Sequence, residues 1–156
     1  MDDFAHLLVG YSIWRIAVLA GFKEEKWLAL ALALAGSILP DLLWPWGILS
    51  YSQTHTMTYY IIAALPLLVW GRTRAAGALF VIAACAHIAI DIPMHQAVYA
   101  PLYPIIGTTF QGTFNYWTDI KYMIGYWIAA LALVGATFIA EWRQTGKMTL
   151  GCDGKK

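Results

Sequence analysis

Five apolar stretches, each close to the length that a membrane-spanning helix requires, account for most of this sequence. A helix needs about 20 apolar residues to cross the hydrocarbon core of a bilayer, which is roughly 30 Å thick. The third stretch is the shortest and can extend by a turn into residues 51–57. The pattern predicts an all-α, polytopic helical membrane protein with about five transmembrane helices. The predicted helices cover residues 4–21, 27–44, 58–70, 75–95 and 122–142.

The composition supports a membrane protein. Of the 156 residues, 60% are hydrophobic and 12% are charged, whereas soluble domains contain about 25% charged residues. So few charges exclude a disordered chain, a coiled coil and an ordinary soluble enzyme. The net charge of +1 provides no basic field for nucleic acid, which is therefore not expected as a partner. Cys85 and Cys152 lie far apart in the sequence and predict no disulfide framework.

The chain divides into one membrane domain and a short tail. We assign residues 1–142 to the transmembrane domain and residues 143–156 to a polar cytoplasmic tail. The N-terminus is acidic, with Asp2 and Asp3 and no basic residue, so no secretory signal is expected. We find no internal repeat and no low-complexity segment.

Basic residues cluster at one end of the predicted bundle, which we call the basic end. Lys121 lies at the opposite end, and Arg15 lies within the first apolar stretch. Lys and Arg favour the cytoplasmic side of a membrane, so this distribution predicts a cytoplasmic C-terminus and an N-terminus outside the cytoplasm. The basic end holds eight of the ten Lys and Arg residues, namely Lys23, Lys26, Arg72, Arg74, Arg143, Lys147, Lys155 and Lys156.

The segment 96–118 differs from the predicted helices because it is uncharged and rich in helix breakers. Its prolines and glycines disfavour a long regular helix. Its many apolar side chains disfavour a solvated loop. We interpret the segment as a re-entrant or interfacial stretch near the membrane, and the alternative is an apolar loop that lies on the bundle.

The histidines and most acidic residues fall at the end opposite the basic one, which we call the histidine end. This end holds all four histidines and five of the nine acids, namely His6, His55, His87, His95, Asp2, Asp3, Asp41, Asp91 and Asp119. The acids of the basic end are mixed with Lys and Arg, and we interpret them as ordinary solvated partners. They are Glu24, Glu25, Glu141 and Asp153.

His87, Asp91 and His95 are spaced by four residues in the fourth apolar stretch. On a helix this spacing places all three on one stripe. Imidazole and carboxylate groups are good ligands for zinc or another divalent metal. A carboxylate within an apolar span is costly and usually functional. Pro93 is expected to kink or end the helix near His95, and the alternative role for the stripe is polar contact between helices.

Three further polar residues lie outside this stripe, and two of them, Arg15 and Asp119, allow two interpretations each. Pro40 suggests a helix break that presents Asp41. Arg15 is either a substrate-binding anion clamp or a residue that faces the bundle or extends to the interface. Asp119 is either a substrate-binding group or a charge that begins the fifth helix.

The ordered set of these residues resembles the membrane-bound metal-dependent hydrolases, also described as LexA-binding inner-membrane hydrolases. That family is similar to zinc-dependent phospholipase C. The resemblance spans about residues 4–105. The matching elements are His6, Leu-Pro-Asp41, Thr54-His55-Thr56, His87-x3-Asp91 and Pro-x-His95.

The resemblance implies a metal site and a location in the bacterial inner membrane. It implies that His6, Asp41, His55, His87 and Asp91 are metal ligands, and His95 follows the phospholipase-like pattern. The family often has an Arg shortly before the Thr-His pair, where this chain has residues 50–53 without one. The chain also lacks the later His and Glu of the soluble phospholipases. We therefore expect one or two divalent ions, of which zinc is the leading candidate.

The predicted function is a metal-dependent hydrolase, of the phosphoesterase or phospholipase type, that acts on a membrane lipid or lipid-linked substrate at the extracytoplasmic face. A divalent ion makes bound water acidic enough to attack an ester at neutral pH. Asp41 and Asp91 are the expected catalytic residues, since either one can bridge two ions or act as a general base. Two other functions are open: a proton-coupled or metal-ion transporter, and a membrane scaffold without catalytic activity.

Overall fold

Helices and one short β-hairpin form the computed structural model, which describes residues 3–22, 26–43, 45, 49–115 and 118–147. Predictions about residues 1–2, 23–25, 44 and 148–156 lie outside the described residues. The elements are α1 (Asp3–Leu19), α2 (Lys26–Leu43), α3 (Tyr51–Thr54), α4 (Met57–Val69), α5 (Arg74–Met94), β1 (Val98–Tyr99), β2 (Phe110–Gln111) and α6 (Ile120–Thr145).

Three helices of the described chain are long and apolar enough to cross a membrane, namely α2, α5 and α6. They indicate association with a membrane and confirm the all-helical prediction. Helices α1 and α4 are also apolar but shorter, because α1 has 17 residues and α4 has 13. The prediction of about five spanning helices is therefore not confirmed, and three helices of the described chain are candidates by length and composition.

Two prolines interrupt their helices less than the sequence predicts. Helix α2 continues through Pro40 to Leu43, so the predicted helix break before Asp41 is wrong. Helix α5 passes Pro93 but ends one residue later, and His95 is its C-cap. The backbone N–H of His95 still donates to the carbonyl of Asp91 at 3.1 Å, so both side chains stay at the same end of α5.

The core is formed where α2 packs on α1 and α5, with α4 against α5 and α6 against α1. The crossing of α2 and α5 is so close that a Cβ atom at Gly36 would overlap the carbonyl oxygen of Phe80. Only glycine fits at such a backbone contact. The close crossing brings the carbonyl of Ser37, the next residue, within 2.7 Å of His87 Nδ1.

Residues 96–115, which we call the flap, follow α5 and lie over its C-terminal end. Strands β1 and β2 pair antiparallel, with Tyr99 opposite Phe110. Gly112 lies against the last turn of α5, where a Cβ atom would overlap the carbonyl oxygen of His95. The N–H of Phe114 donates to the carbonyl of Pro93 at 3.1 Å. These contacts fix the flap beside His95, at the histidine end of the bundle.

Candidate metal centre

Histidine and aspartate side chains from α1, α2, α5 and the link between α3 and α4 meet at the histidine end. His6, Asp41, His87 and Asp91 each offer one ligand atom, and these atoms lie within 4.8 Å of one another. His55, in the link between α3 and α4, also contacts Asp41 and Asp91. The three histidines are fully buried and Asp91 is 2% exposed. The structure thus contains a buried His/Asp cluster that could hold a metal ion.

Asp91 lies at the centre of the cluster and faces all four histidines. Its Oδ2 atom is 3.2 Å from His55 Nε2 and 3.3 Å from His87 Nε2. Its Oδ1 atom is 3.2 Å from His6 Nε2 and 3.6 Å from His95 Nε2. Each carboxylate oxygen therefore faces one pair of imidazole nitrogens.

One group of four atoms has the spacing of ligands around a tetrahedral ion. At ligand distances of about 2.0 to 2.2 Å, such ligands lie about 3.3 to 3.6 Å from one another. His55 Nε2 is 3.4 Å from His87 Nε2 and 3.4 Å from Asp41 Oδ1. Asp41 Oδ1 is also 3.6 Å from His87 Nε2. With the two distances to Asp91 Oδ2, five of the six separations in this group lie between 3.2 and 3.6 Å, close to those of a tetrahedral set. The four atoms are His55 Nε2, His87 Nε2, Asp41 Oδ1 and Asp91 Oδ2.

Hydrogen bonds on the far side of the rings orient two of these histidines. His87 Nδ1 lies 2.7 Å from the carbonyl oxygen of Ser37, and His55 Nδ1 lies 2.9 Å from that of Tyr51. A carbonyl oxygen only accepts, so each Nδ1 carries the hydrogen and donates it. In a neutral ring the Nε2 lone pair then points into the cluster, which is the usual arrangement of a metal-binding histidine.

His6 is oriented by the last helix. Its Nδ1 atom is 2.9 Å from the hydroxyl of Tyr126 on α6, and its ring stacks on that of His87 with centroids 3.8 Å apart. Its Nε2 atom is buried and has no hydrogen-bond partner within the described chain, although Asp91 Oδ1 is close. Buried polar atoms are rarely left without a partner. A cation between the two atoms would satisfy both.

The cluster holds either protons or a cation between its nitrogens and carboxylates. Burial disfavours the charged form of His55, but hydrogen bonds to Asp41 and Asp91 outweigh that effect and raise its pKa above the ordinary value. Without metal, the carboxylates therefore favour an imidazolium at this position. A divalent ion would take the place of the proton.

Asp41 is the most exposed of the described residues of the cluster. The Asp41 side chain is 19% exposed, whereas His6, His55 and His87 are closed off by the surrounding helices. Tyr51 lies beside the cluster, with its ring stacked on His55 at a centroid distance of 3.9 Å. Burial raises the pKa of Tyr51 above its ordinary value, and the Asp91 carboxylate raises it further, so the phenol is protonated at neutral pH.

The structure does not bring Arg15 to the cluster. Arg15 is buried, and its Nη2 atom donates to Glu141 Oε2 at 2.9 Å. Its guanidinium also lies over the ring of Phe138, 4.1 Å from the centroid. Arg15 lies nine positions after His6 in α1, which is about 13 Å along the helix axis. The structure favours a residue that faces the bundle over an anion clamp.

Glu141 is the acid for which the sequence interpretation is wrong. It is 7% exposed, not solvated, because α6 packs it against Arg15 of α1. Asp119, in contrast, begins α6 as its N-cap, and its carboxylate accepts a hydrogen bond of 3.1 Å from the N–H of Lys121. This placement favours the helix-start interpretation of Asp119 over a role in substrate binding.

Three tyrosines near the cluster were not singled out in the sequence, namely Tyr51, Tyr99 and Tyr126. The Tyr51 hydroxyl contacts Asp91 and the Tyr99 hydroxyl, and the Tyr126 hydroxyl contacts His6. The chain contains nine tyrosines, and most of those that the structure describes have no such contact, so residue type alone could not identify these three. The only available sign was the position of Tyr51 four residues before His55.

Replacing Tyr126 by phenylalanine is expected to weaken metal binding by roughly 10-fold, since removing the partner that orients a ligand costs about 10- to 100-fold in affinity. The hydroxyl is the group that holds the His6 ring through Nδ1. Competition with a coloured chelator measures the affinity. Tyr122→Phe on the same helix is the matched control, and equal affinities of the two variants would contradict the assigned role.

Comparisons of the chain with models of known protein families, with curated proteins and with solved structures found no match. The relation to the membrane-bound metal-dependent hydrolases therefore stays a prediction, which rests on the residues at the histidine end.

Proposed function

We propose that this protein is a membrane-embedded, metal-dependent hydrolase that cleaves a phosphoester in a lipid or lipid-linked substrate. One observation carries the proposal: imidazole Nε2 atoms and two carboxylates converge in a buried cluster with the spacing of metal ligands. The orientation of the rings by hydrogen bonds at Nδ1 supports a ligand role over simple contact between helices.

The donor set fits zinc. Nitrogen and carboxylate oxygen ligands in a tetrahedral arrangement are typical of Zn²⁺ in proteins. His55, His87, Asp41 and Asp91 would hold one ion. His6 and His95 face the other oxygen of Asp91 and would serve a second ion, with Asp91 shared between the two. The chain thus has ligands for one or two ions.

The two aspartates differ in exposure, which suggests different roles. When bound, a divalent ion supplies an acidified water and stabilises negative charge on the substrate. Asp91 is buried and faces every histidine, so its role is to hold the ligands together. Asp41 lies at the open edge, with its side chain 19% exposed. It is the better placed of the two to accept a proton from the attacking water. In that role His55, His87 and Asp91 would hold the ion and leave its fourth position to water.

The position of the cluster suits a substrate that stays in the membrane. Helices α2, α5 and α6 are long and apolar enough to span a bilayer, and the cluster lies near one end of α2 and α5. A site at this depth can reach a lipid headgroup without removing the lipid from the bilayer. The excess of basic residues at the other end supports an extracytoplasmic site in a bacterial inner membrane.

The residues that converge are those of the family resemblance. His6, Asp41, His55, His87 and Asp91 come from separate parts of the sequence and meet in one cluster. This supports membership of the metal-dependent hydrolases described as LexA-binding inner-membrane hydrolases, and the activity proposed here is the one that the resemblance implies.

A metal-ion or proton-coupled transporter is the second candidate. The observation in its favour is the buried ion pair of Arg15 and Glu141, which extends polar groups away from the cluster towards the basic end. Charged residues inside a membrane often mark ion pathways. Flux of zinc or protons into liposomes that contain the purified protein would favour the transporter, whereas hydrolysis without flux would favour the enzyme.

The decisive experiment is elemental analysis of the purified full-length protein together with an assay on phosphoester substrates in detergent. We expect a stoichiometric divalent metal that a chelator removes, with activity lost on removal and restored by Zn²⁺. A protein that holds no metal under any loading condition would overturn the proposal. Bound metal without hydrolysis of any phosphoester would overturn the enzymatic part alone.

A further inference from the structure

Helix α4 is too short to cross a bilayer beside the longer helix α5. It has 13 residues, whereas α5 has 21. At 1.5 Å per residue, α4 is about 20 Å long and α5 about 32 Å, against a hydrocarbon core of roughly 30 Å. The two helices pack on each other and are joined by the short link 70–73. Since they share one level at this link, their other ends differ in height by roughly 12 Å.

A contact within the cluster shows the same difference in height. His55 lies two positions before α4 begins, and its Nε2 atom is 3.4 Å from His87 Nε2. His87 lies seven positions before the end of α5 at Met94, which is about 10 Å along the helix axis. Helix α5 therefore continues past the level at which α4 begins.

The flap has a base that is fixed by backbone contacts and a tip that is exposed. At one side of the base, the N–H of Met57 at the beginning of α4 donates to the carbonyl of Pro101 at 2.8 Å. At the other side, the bond from Phe114 to Pro93 holds the flap to the end of α5. Between these contacts lie residues 102–110, which we call the tip, and all of them are exposed.

The tip is apolar and contains no charged residue. Its turn satisfies part of its own backbone, since the N–H of Ile106 donates to the carbonyl of Leu102 at 2.9 Å. Pro101 and Pro104 have no N–H to satisfy. Irregular backbone tolerates an apolar environment only when its polar groups have partners. The exposed large side chains of the tip are Leu102, Tyr103, Ile105, Ile106 and Phe110.

We propose that the tip of the flap lies in the boundary between acyl chains and headgroups beside the beginning of α4, with its apolar side chains among the acyl chains. Apolar side chains of interfacial segments enter this boundary by about 5 to 10 Å. That depth is comparable to the roughly 10 Å of hydrocarbon that α4 does not cross. A bilayer also becomes thinner beside a helix that is shorter than its hydrocarbon core.

Lipid is the favoured occupant because the tip continues the outer face of α4. The contact of Pro101 with Met57 places the tip at the beginning of that helix. On α4 itself, Ile62 is 56% exposed and Leu65 is 48% exposed. Protein interfaces usually have a polar rim, whereas the tip and this face of α4 form a continuous apolar surface.

The inference goes beyond the proposed function, because the position of the tip requires neither metal nor catalysis. Where both hold, the thinner leaflet would bring lipid headgroups to the level of Asp41, the partly exposed acid of the cluster. Loss of metal or of hydrolysis would leave the depth of the tip unchanged, so the two proposals are tested separately.

The test places a nitroxide spin label in the tip of the full-length protein in phosphatidylcholine vesicles. Cys85→Ala and Cys152→Ser remove the native cysteines, and Ile105→Cys takes the label at a side chain that is 76% exposed. Oxygen concentrates among acyl chains and a water-soluble nickel chelate stays in water, so the ratio of their collision rates reports depth. Ile128→Cys, at a residue of α6 that is 62% exposed, is the reference for the bilayer core, and Lys147→Cys is the reference for water.

We expect the ratio of oxygen to nickel collisions at Ile105→Cys to exceed that at Lys147→Cys several-fold and to lie below that at Ile128→Cys. Phe110→Cys, at the other end of the tip, should give a similar ratio. Thr113→Cys is the matched control, because Thr113 is exposed in the same flap but lies at the end of α5. Its ratio should be lower than that of the tip.

Three outcomes would overturn the inference. A ratio at Ile105→Cys equal to that at Lys147→Cys would place the tip in water. Low collision rates with both reagents would mean that protein covers the tip, such as a second copy of the chain. Equal ratios at Ile105→Cys and Thr113→Cys would contradict the difference in height between α4 and α5.

Discussion

Replacing Asp91 by alanine is expected to abolish binding of divalent metal to the purified protein. Asp91 supplies an oxygen to each pair of histidines, so its removal breaks both halves of the cluster at once. The loss of metal affinity should exceed the roughly 10- to 100-fold decrease that follows removal of a group that only orients a ligand. Hydrolytic activity should disappear with the metal.

Elemental analysis of the purified variant measures this effect, together with the amount of protein recovered from membranes. Asp119→Ala is the matched control, because Asp119 is an N-cap of α6 and contacts Lys121 instead of the cluster. We expect the control to retain its metal, and both variants to insert into the membrane. Asp91→Ala protein with the metal stoichiometry of the wild type would contradict the assignment.

The second large effect concerns the buried ion pair between α1 and α6. Arg15→Ala is expected to lower the free energy of unfolding by about 3 to 5 kcal/mol, because the variant leaves the Glu141 carboxylate buried without its partner. The two charged atoms lie 2.9 Å apart, and the Arg15 side chain is 2% exposed. Unfolding of the purified protein in mixed detergent micelles by increasing SDS measures the change.

A double variant separates the charge effect from the loss of packing. Arg15→Met combined with Glu141→Gln removes both charges and keeps most of the volume, so it should recover most of the lost stability. Arg143→Ala on the exposed side of α6 is the control and should change stability little. If Arg15→Ala is as stable as Arg143→Ala, the pair does not hold α6 to the bundle.

The candidate site could be predicted from the sequence because charge is scarce in this chain. Once the apolar stretches were placed, His6, His55, His87 and Asp91 could only fall at the same end of the bundle. The four-residue spacing of His87 and Asp91 then placed both on one face of α5. In the structure His87 Nε2 lies 3.3 Å from Asp91 Oδ2. Few polar residues on long apolar helices make their positions informative.

The remaining features depend on contacts that are distant in sequence. Glu141 is 126 residues from Arg15, and Tyr126 is 120 residues from His6, so no local pattern could pair them. The partners of Tyr51 likewise depend on how the flap lies over α5. Helix α2 also passes through Pro40, although proline disfavours a helix interior. Close packing against α1 and α5 stabilises α2 there, which single-residue preferences do not include.

The cluster takes its ligands from several helices, which sets the order in which it can assemble. During synthesis His6, Asp41 and His55 leave the ribosome before α5 supplies His87 and Asp91. Until α5 packs between α2 and α4, no pair of ligands shares an Asp91 oxygen, and the early residues have only water or each other as partners. Under the proposed function, metal uptake would therefore come at the end of membrane insertion. The metal content of newly made protein would then report how much of it has a fully assembled bundle.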